Sequence, residues 1–200
     1  MLDPQAVTRA TYDQIATAYA QQLGGVDGMA PDRERFAAAL GSGALVADIG
    51  CGPAHHVRAL RDLGLRVVGL DLSEGQLRAS DGVPGLVQAD MLALPLSAGA
   101  VDGIWAIASL LHLPRELAPR AIAEFARVLR SGGQLWLTVA EGEGEGFEPS
   151  HYDESRAPRW FSYYSEPELR GWLEPVGFEV AWTRRGQTHR SWLSLHCRRA

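Results

Sequence analysis

Apolar positions recur along this chain in two rhythms. Over residues 8–23, Tyr12, Ile15, Ala16, Tyr19 and Leu23 fall at helical spacing and predict an amphipathic leading helix. Gly24, Gly25 and Gly28 break it, and a second short helix over residues 32–40 ends at Gly41. Compact apolar runs follow. Residues 44–49 read as the first core strand, 54–63 as a crossover helix and 66–70 as the second strand. Ser73 is suited to cap a helix through Ser80, with Glu74 in its favourable first turn and Gly75 weakening it.

Strands are predicted at 85–88 and 101–108. Pro114 then precedes a helix whose Leu117, Ala121, Ile122, Phe125, Val128 and Leu129 form one stripe. Ser131, Gly132 and Gly133 end it before a fifth strand at 134–140. Residues 141–158 alternate Glu with Gly and predict a mobile loop. Ser165 caps a helix through Leu173, with Glu168 at the capping-box position, and Gly177 stops it. Residues 178–183 and 191–197 close the chain as strands with no helix between them. Strands alternating with helices imply a mostly parallel, doubly wound α/β sheet, and the final pair implies an antiparallel end.

Composition narrows the function. A chain of 200 residues with 46% hydrophobic and 22% charged residues is most simply one soluble domain. The formal charge of -5 opposes non-specific affinity for nucleic acid. No apolar run approaches the roughly 20 residues of a membrane span, and the first residues lack the pattern of a signal peptide, so a cytoplasmic location is expected. All 19 basic residues are arginine, which excludes a Schiff-base lysine, a Walker-type phosphate loop and a Tyr-x-x-x-Lys pair. Asn is absent as well. Cys51 and Cys197 lie too far apart in sequence to suggest a disulfide framework or a zinc site, and the adjacent His55 and His56 would diverge on a helix, so no metal is expected.

Residues 46–71, VADIGCGPAHHVRALRDLGLRVVGLD, concentrate the chemistry. A strand ending near Asp48 runs into a turn with Gly50 and Gly52, then a helix, then a strand closing on Asp71. Glycines there let backbone N–H groups approach a ligand, and an acid at the second strand tip can accept hydrogen bonds from ribose hydroxyls. A nucleoside-bearing cofactor is the first expectation.

Together with GLDLSEGQL at 69–77, QADMLALP at 88–95, RVLRSGGQLWL at 127–137 and SEPELRGWLEPVGFEV at 165–180, ADIGCGPA at 47–54 makes the whole chain resemble the class I S-adenosylmethionine-dependent methyltransferases. The likeness is to their small-molecule, ubiquinone/menaquinone-type branch. It implies a seven-stranded Rossmann-like sheet with an antiparallel last strand, one domain over 1–200, a helical cap over 1–40 and a mobile loop over 141–164 near the acceptor. It also implies S-adenosylmethionine as methyl donor, S-adenosylhomocysteine as product, and a small-molecule acceptor with neither nucleic acid nor membrane as partner.

By the same resemblance, Asp48, Gly50, Cys51 and Gly52 hold the methionine part of the cofactor, though Ala54 replaces a frequent glycine. Asp71 takes the ribose and Leu72 lies on an adenine face. Asp90 and Met91 read the adenine edge, and Ala106 adds backbone contacts. Tyr12 and Tyr19, in YDQIATAY, would shield the sulfonium; packing into the core is their simpler reading. His112, in ASLLHLP, stands where an acceptor would enter, as general base, as substrate holder, or as a structural group bonding a loop carbonyl. Trp160, Phe161, Tyr163 and Tyr164 either line an acceptor pocket or pack a strand edge.

Two other classes compete. An NAD-dependent oxidoreductase shares the glycine turn and distal acid, yet its fingerprint wants a small residue where His55 stands. A non-catalytic S-adenosylmethionine-binding module would keep the same cofactor residues. Methylation of nucleic-acid amines would call for an Asn/Asp-Pro-Pro-aromatic motif where this chain reads AIASLLH. Access is expected to be gated by the leading helix and by the segment EGEGEGFEPSHYD.

Overall fold

A computed structural model describes residues 2–22 and 27–200. Leu23, Gly24 and Gly25, where the sequence predicts the first helix to end, lie outside the described residues. The helices are α1 (Pro4–Gln22), α2 (Ala30–Leu40), α3 (His55–Asp62), α4 (Glu74–Arg78), α5 (Ala118–Val128) and α6 (Glu166–Leu173). The strands are β1 (Leu45–Ile49), β2 (Arg66–Asp71), β3 (Leu86–Gln88), β4 (Val101–Ile107), β5 (Leu129–Ala140), β6 (Glu145–Pro149), β7 (Pro158–Ser162), β8 (Phe178–Gln187) and β9 (Ser191–Arg199).

Seven strands form one sheet in the order β3-β2-β1-β4-β5-β9-β8. Neighbours from β3 through β5 are parallel, and β9 runs antiparallel to both β5 and β8. The seven-stranded α/β sheet with its antiparallel last strand is therefore as expected. The chain winds outward from β1 to β3, then returns to place β4 on the other side of β1. That reversal opens a crevice at the carboxyl ends of β1 and β4, the usual ligand position in such sheets.

Two apolar layers hold the sheet. On one face α5 buries Ala118, Ala121, Ile122, Phe125, Ala126 and Val128 against Ile104, Leu135 and Leu137. On the other, Phe36 of α2 and Leu60 of α3 pack over Trp105 and Trp136. Trp105, Trp136 and His196 are in register across β4, β5 and β9, and their rings stack at 5.6 and 5.2 Å. Phe36 meets Trp105 at 5.2 Å.

Two segments depart from the pattern-based expectation. β5 starts at Leu129, before the expected glycine break, with a register irregularity opposite Val101 and Gly103. The stretch expected as a loop contains β6, which pairs antiparallel with β7. Its low apolar content hid a period of two. Phe147 stands opposite Trp160, and their rings meet edge to face at 5.0 Å. Arg115 ties this hairpin to the body through Gly144 O, Tyr163 O and Glu168.

Because Phe36 is fully buried between α2 and the tryptophan row, Phe36→Ala should cost about 3–5 kcal/mol in chemical denaturation. A loss below about 1 kcal/mol would mean α2 is not docked as described.

Candidate active site

The carboxyl ends of β1, β2 and β4 converge on a cavity of roughly 790 Å³ of atom-free space, its open mouth included. Gly50, Gly52, Asp71, Leu72, Asp90 and Met91 line it, together with Tyr12, Tyr19, Ser109 and His112. The separate sequence segments singled out above therefore meet around one space.

The turn after β1 is built by backbone geometry. Gly50 has φ +76, and an added Cβ would overlap the Ser109 side chain. Its N–H donates to Leu70 O at 2.7 Å, joining β1 to β2. Asp71 completes the turn by accepting from Gly52 N and Ser73 N, each at 2.8 Å. Burial raises the pKa of Asp71, and those backbone donors oppose the rise. Asp90 accepts from Leu92 N at 2.9 Å and Gln5 Nε2 at 3.0 Å through a single oxygen, Oδ1.

Not every expected residue faces the cavity. Asp48, Cys51 and Ala106 do not line it. Side chains alternate along a strand, so Asp48 shares the α2/α3 face with Val46 and Trp105, while Ile49 reaches the cavity. Asp48 is 1% exposed, and burial, then the Asp71 charge, raise its pKa. The Cys51 thiol turns toward Gly69, where an added Cβ would lie 2.9 Å from Sγ. Ala106 sits in the apolar core, and the strand end meets the cavity through Ile107, Ala108 and Ser109 instead. The four expected acceptor-side aromatics do not line it either. Trp160 packs on Phe147, Tyr164 on Trp172, and Phe161 backs His112 at 4.9 Å.

Sequence reading missed Gln76, Ser109 and Arg159. Gln76 and Ser109 line the cavity, and Gln76 Oε1 and Ser109 Oγ are buried without a partner among the described residues. Arg159 stands behind Tyr12. A polar residue in an apolar strand, PRWFS, was the one available signal for it.

α1 roofs the cavity. Asp13 accepts from Ser73 Oγ at 2.6 Å and Gly75 N at 2.8 Å, and Gln5 reaches Asp90. At its other flank, Thr8 accepts from Trp160 N at 2.8 Å and Thr11 donates to Pro158 O at 2.6 Å. Tyr12 and Tyr19 meet edge to face at 5.4 Å.

A short relay fixes His112. A carbonyl can only accept, so Nδ1–H donates to Trp160 O at 2.7 Å, and the Nε2 lone pair accepts from Tyr12 O–H at 2.8 Å. Arg159 in turn donates to Tyr12 Oη at 3.1 Å. Burial, with smaller contributions from Arg159 and Arg190, pushes the His112 pKa down to about 3 despite the Trp160 carbonyl. Burial likewise raises Tyr12 to about 12. His112 does make a structural bond to a backbone carbonyl, but that carbonyl belongs to β7 and not to a loop.

Among the described residues no helix is long and apolar enough to cross a membrane, and no group of three or more His, Cys, Asp or Glu is arranged to hold a metal ion.

Comparison with known proteins agrees with this geometry. Residues 47–137 match the family described as "Methyltransferase domain". Methyltransferase GfsG of Streptomyces halstedii is 32% identical over 139 residues, 62% of this chain and 49% of that protein. The tRNA (carboxymethyluridine(34)-5-O)-methyltransferase ALKBH8 of Mus musculus is 36% identical over 113 residues, 55% of this chain and 17% of that protein. The chain thus spans about half the length, or less, of these curated relatives. Among solved structures, the Burkholderia thailandensis 1,6-didemethyltoxoflavin-N1-methyltransferase, described with S-adenosylhomocysteine bound, superposes with a TM-score of 0.75 at 21% identity. The match covers 100% of this chain and 92% of that one. The chain shares the seven-stranded α/β fold of that structure, and residues 47–137 are similar to a methyltransferase domain.

The buried imidazoles carry a pH consequence. His112 and His56 both have folded pKa values of about 3 against an ordinary 6.5, burial being the first cause in each. Between those values these two sites bind protons in the unfolded chain and not in the folded one, so their contribution to unfolding free energy falls as pH drops from about 6.5 toward 3, while the raised Asp48 and Asp71 carboxyls act in the opposite sense. Denaturant titrations of the native chain and of His112→Gln across that window should differ, the variant losing the imidazole's share of that fall. A slope unchanged by the substitution would contradict a neutral, buried His112.

Proposed function

We propose that this chain transfers the methyl group of S-adenosylmethionine to a small acceptor, within the small-molecule branch of the class I methyltransferases. The observation that carries the reading is the meeting of Gly50, Gly52, Asp71 and Asp90 around one cavity, from segments far apart in sequence. The fit to the donor rests on polar atoms left over there. Gln76 Oε1 and Ser109 Oγ are buried without partners, and Asp90 keeps its second oxygen free of the bonds made by Gln5 and Leu92. Groups of this kind are retained where a polar ligand satisfies them.

In this reading Asp71 accepts from the ribose hydroxyls, with Gly52 and Ser73 fixing its carboxylate. Leu72 supports one adenine face, Asp90 accepts from the exocyclic amine, and the Met91 N–H meets a ring nitrogen. The donor brings a methyl group already activated by its positive sulfur. What remains for the chain is alignment and exclusion of water, which alone can supply much of the acceleration. Tyr12 and Tyr19 turn aromatic rings toward the cavity, suited to a cationic centre. His112 acts as a holder of Tyr12, since both ring nitrogens are engaged.

The net charge of -5 supports a small acceptor over a nucleic acid. A tRNA-acting enzyme is nevertheless among the similar proteins, so tRNA belongs in any acceptor panel.

Calorimetry with S-adenosylmethionine, S-adenosylhomocysteine and NAD tests the donor. The two methyl-cycle ligands should bind and NAD should not, and Asp71→Ala and Asp90→Ala should each weaken binding by about tenfold or more, as loss of charge-assisted bonds predicts. Unchanged affinity in both variants would sink the assignment.

As a lid, α1 must open for exchange and close for transfer. Hydrogen exchange with and without S-adenosylhomocysteine should show slower exchange of the amides around Tyr12–Tyr19 when ligand is bound. Equal protection in both states would remove the lid role.

A further inference from the structure

Arg159 is 4% exposed and has no carboxylate within ion-pair distance among the described residues. Its guanidinium lies 5.6 Å from the Tyr12 ring centre, 5.3 Å from Tyr152 and 5.2 Å from Phe161. The bond to Tyr12 Oη is the one hydrogen bond it makes among the described residues, and Nε is buried with no partner. A buried cation ordinarily has an anion beside it.

The sequence had a partner available and directed it elsewhere. Glu148 is the residue directly across the strand pair from Arg159. Its carboxylate instead pairs with Arg190 at 2.9 Å and accepts from Tyr163 Oη. Arg159 is thereby left without a direct ion pair, its charge felt by Glu148 but not matched to it, behind Tyr12; Tyr12 lines the cavity and Arg159 itself does not. Arg9 lines the same cavity and is exposed.

The same wall offers no proton acceptor. Both His112 nitrogens are occupied, Nδ1–H by Trp160 O and Nε2 by Tyr12 O–H. An acceptor hydroxyl or ammonium would have to shed a proton there with no free base to take it. An already ionised nucleophile needs none.

Resting on the methyl-donor reading, we propose that the acceptor is a carboxylate, methylated on oxygen to a methyl ester, and that Arg159 is the positioning residue that selects it. A carboxylate oxygen lone pair forms the new C–O bond as the methyl–sulfur bond breaks. The electron pair of that bond returns to sulfur, leaving S-adenosylhomocysteine and a neutral ester. No proton moves. Arg159, through its charge and its hold on Tyr12, draws the anion to the face of the cavity where the relay ends.

The test uses the full chain saturated with S-adenosylhomocysteine, titrated calorimetrically with acetate, hexanoate and benzoate, each against its matched alcohol and amine. At least one carboxylate should bind about tenfold or more tightly than its matched alcohol, and Arg159→Met should erase that preference. Arg159→Lys, which keeps the charge and loses the planar fork, should retain part of it. Unaltered S-adenosylhomocysteine affinity in the variants certifies the fold; if Arg159→Met loses it, Arg159→Lys and the native preference decide. No carboxylate preference in the native chain, or a preference unaltered in the folded variants, overturns the proposal. Failure of the native chain to bind S-adenosylhomocysteine at all would instead strike the donor reading beneath it. Labelled donor with any carboxylate that binds should then yield alkali-labile label, released as methanol.

Discussion

At the carboxyl ends of β1 and β4 the backbone passes so close that Gly50 has no room for a side chain beside Ser109. Much of the site follows from that approach. Gly50 takes a φ of +76, which frees its N–H and that of Cys51 to share the Leu70 carbonyl. The shared carbonyl brings β2 level with β1 and puts Asp71 where it grips Gly52 and Ser73. Ser73 in turn caps α4 by accepting from Gln76 N, and it donates to Asp13 of α1. One close contact between two strand ends thus propagates to the cavity floor, its acid and the helix above it.

The parts of this arrangement that depend on local geometry were readable. A strand, a glycine turn and a distal acid impose their own order, so β1, α3, β2, Gly50, Gly52 and Asp71 could be anticipated. Asp90, by itself an unremarkable loop acid, was picked out only by the resemblance to the class I methyltransferases. What a linear pattern cannot carry is the side from which a strand-end side chain is seen. Asp48 and Ala106 sit one position from residues that face the cavity, and a shift of one reverses the face. The β6–β7 hairpin escaped for a different reason. Its glutamates are spent on partners distant in sequence, Glu145 on Arg115 and Ser162, Glu148 on Arg190, and such pairs leave no local periodicity.

Electrostatics beneath α1 is organised by burial more than by ion pairs. Arg159, Tyr12 and His112 form one hydrogen-bonded line ending on the Trp160 carbonyl, with the charge at one end and a neutral imidazole at the other. Burial first, and then the charges of Arg159 and Arg190, disfavour a proton on His112 and bring its pKa down to about 3. The line therefore has one stable protonation pattern through the neutral range. That rigidity suits a surface that orients a reactant better than one that exchanges protons with it.

The way α1 is attached differs from the way α5 is. α5 is held by six buried apolar or small side chains, whereas α1 buries Thr8, Thr11, Ile15 and Ala16, packs Tyr12 on His112 and Tyr19 on Tyr152, and adds polar contacts from Gln5, Tyr12, Asp13 and its two threonines. Apolar burial holds at about 25 cal/mol per Å² and has no substitute once the surfaces part, so lifting α5 would forfeit the core. Polar contacts exchange with water on opening, and each contributes only about 0.5–1.5 kcal/mol net. In the lid role proposed above, a helix with this many exchangeable polar bonds would open at a fraction of the unfolding free energy, and Asp13, Thr8 and Thr11 would specify where it returns. The helix that closes the site is thus bonded for accuracy of placement, while the sheet beneath it is packed for permanence.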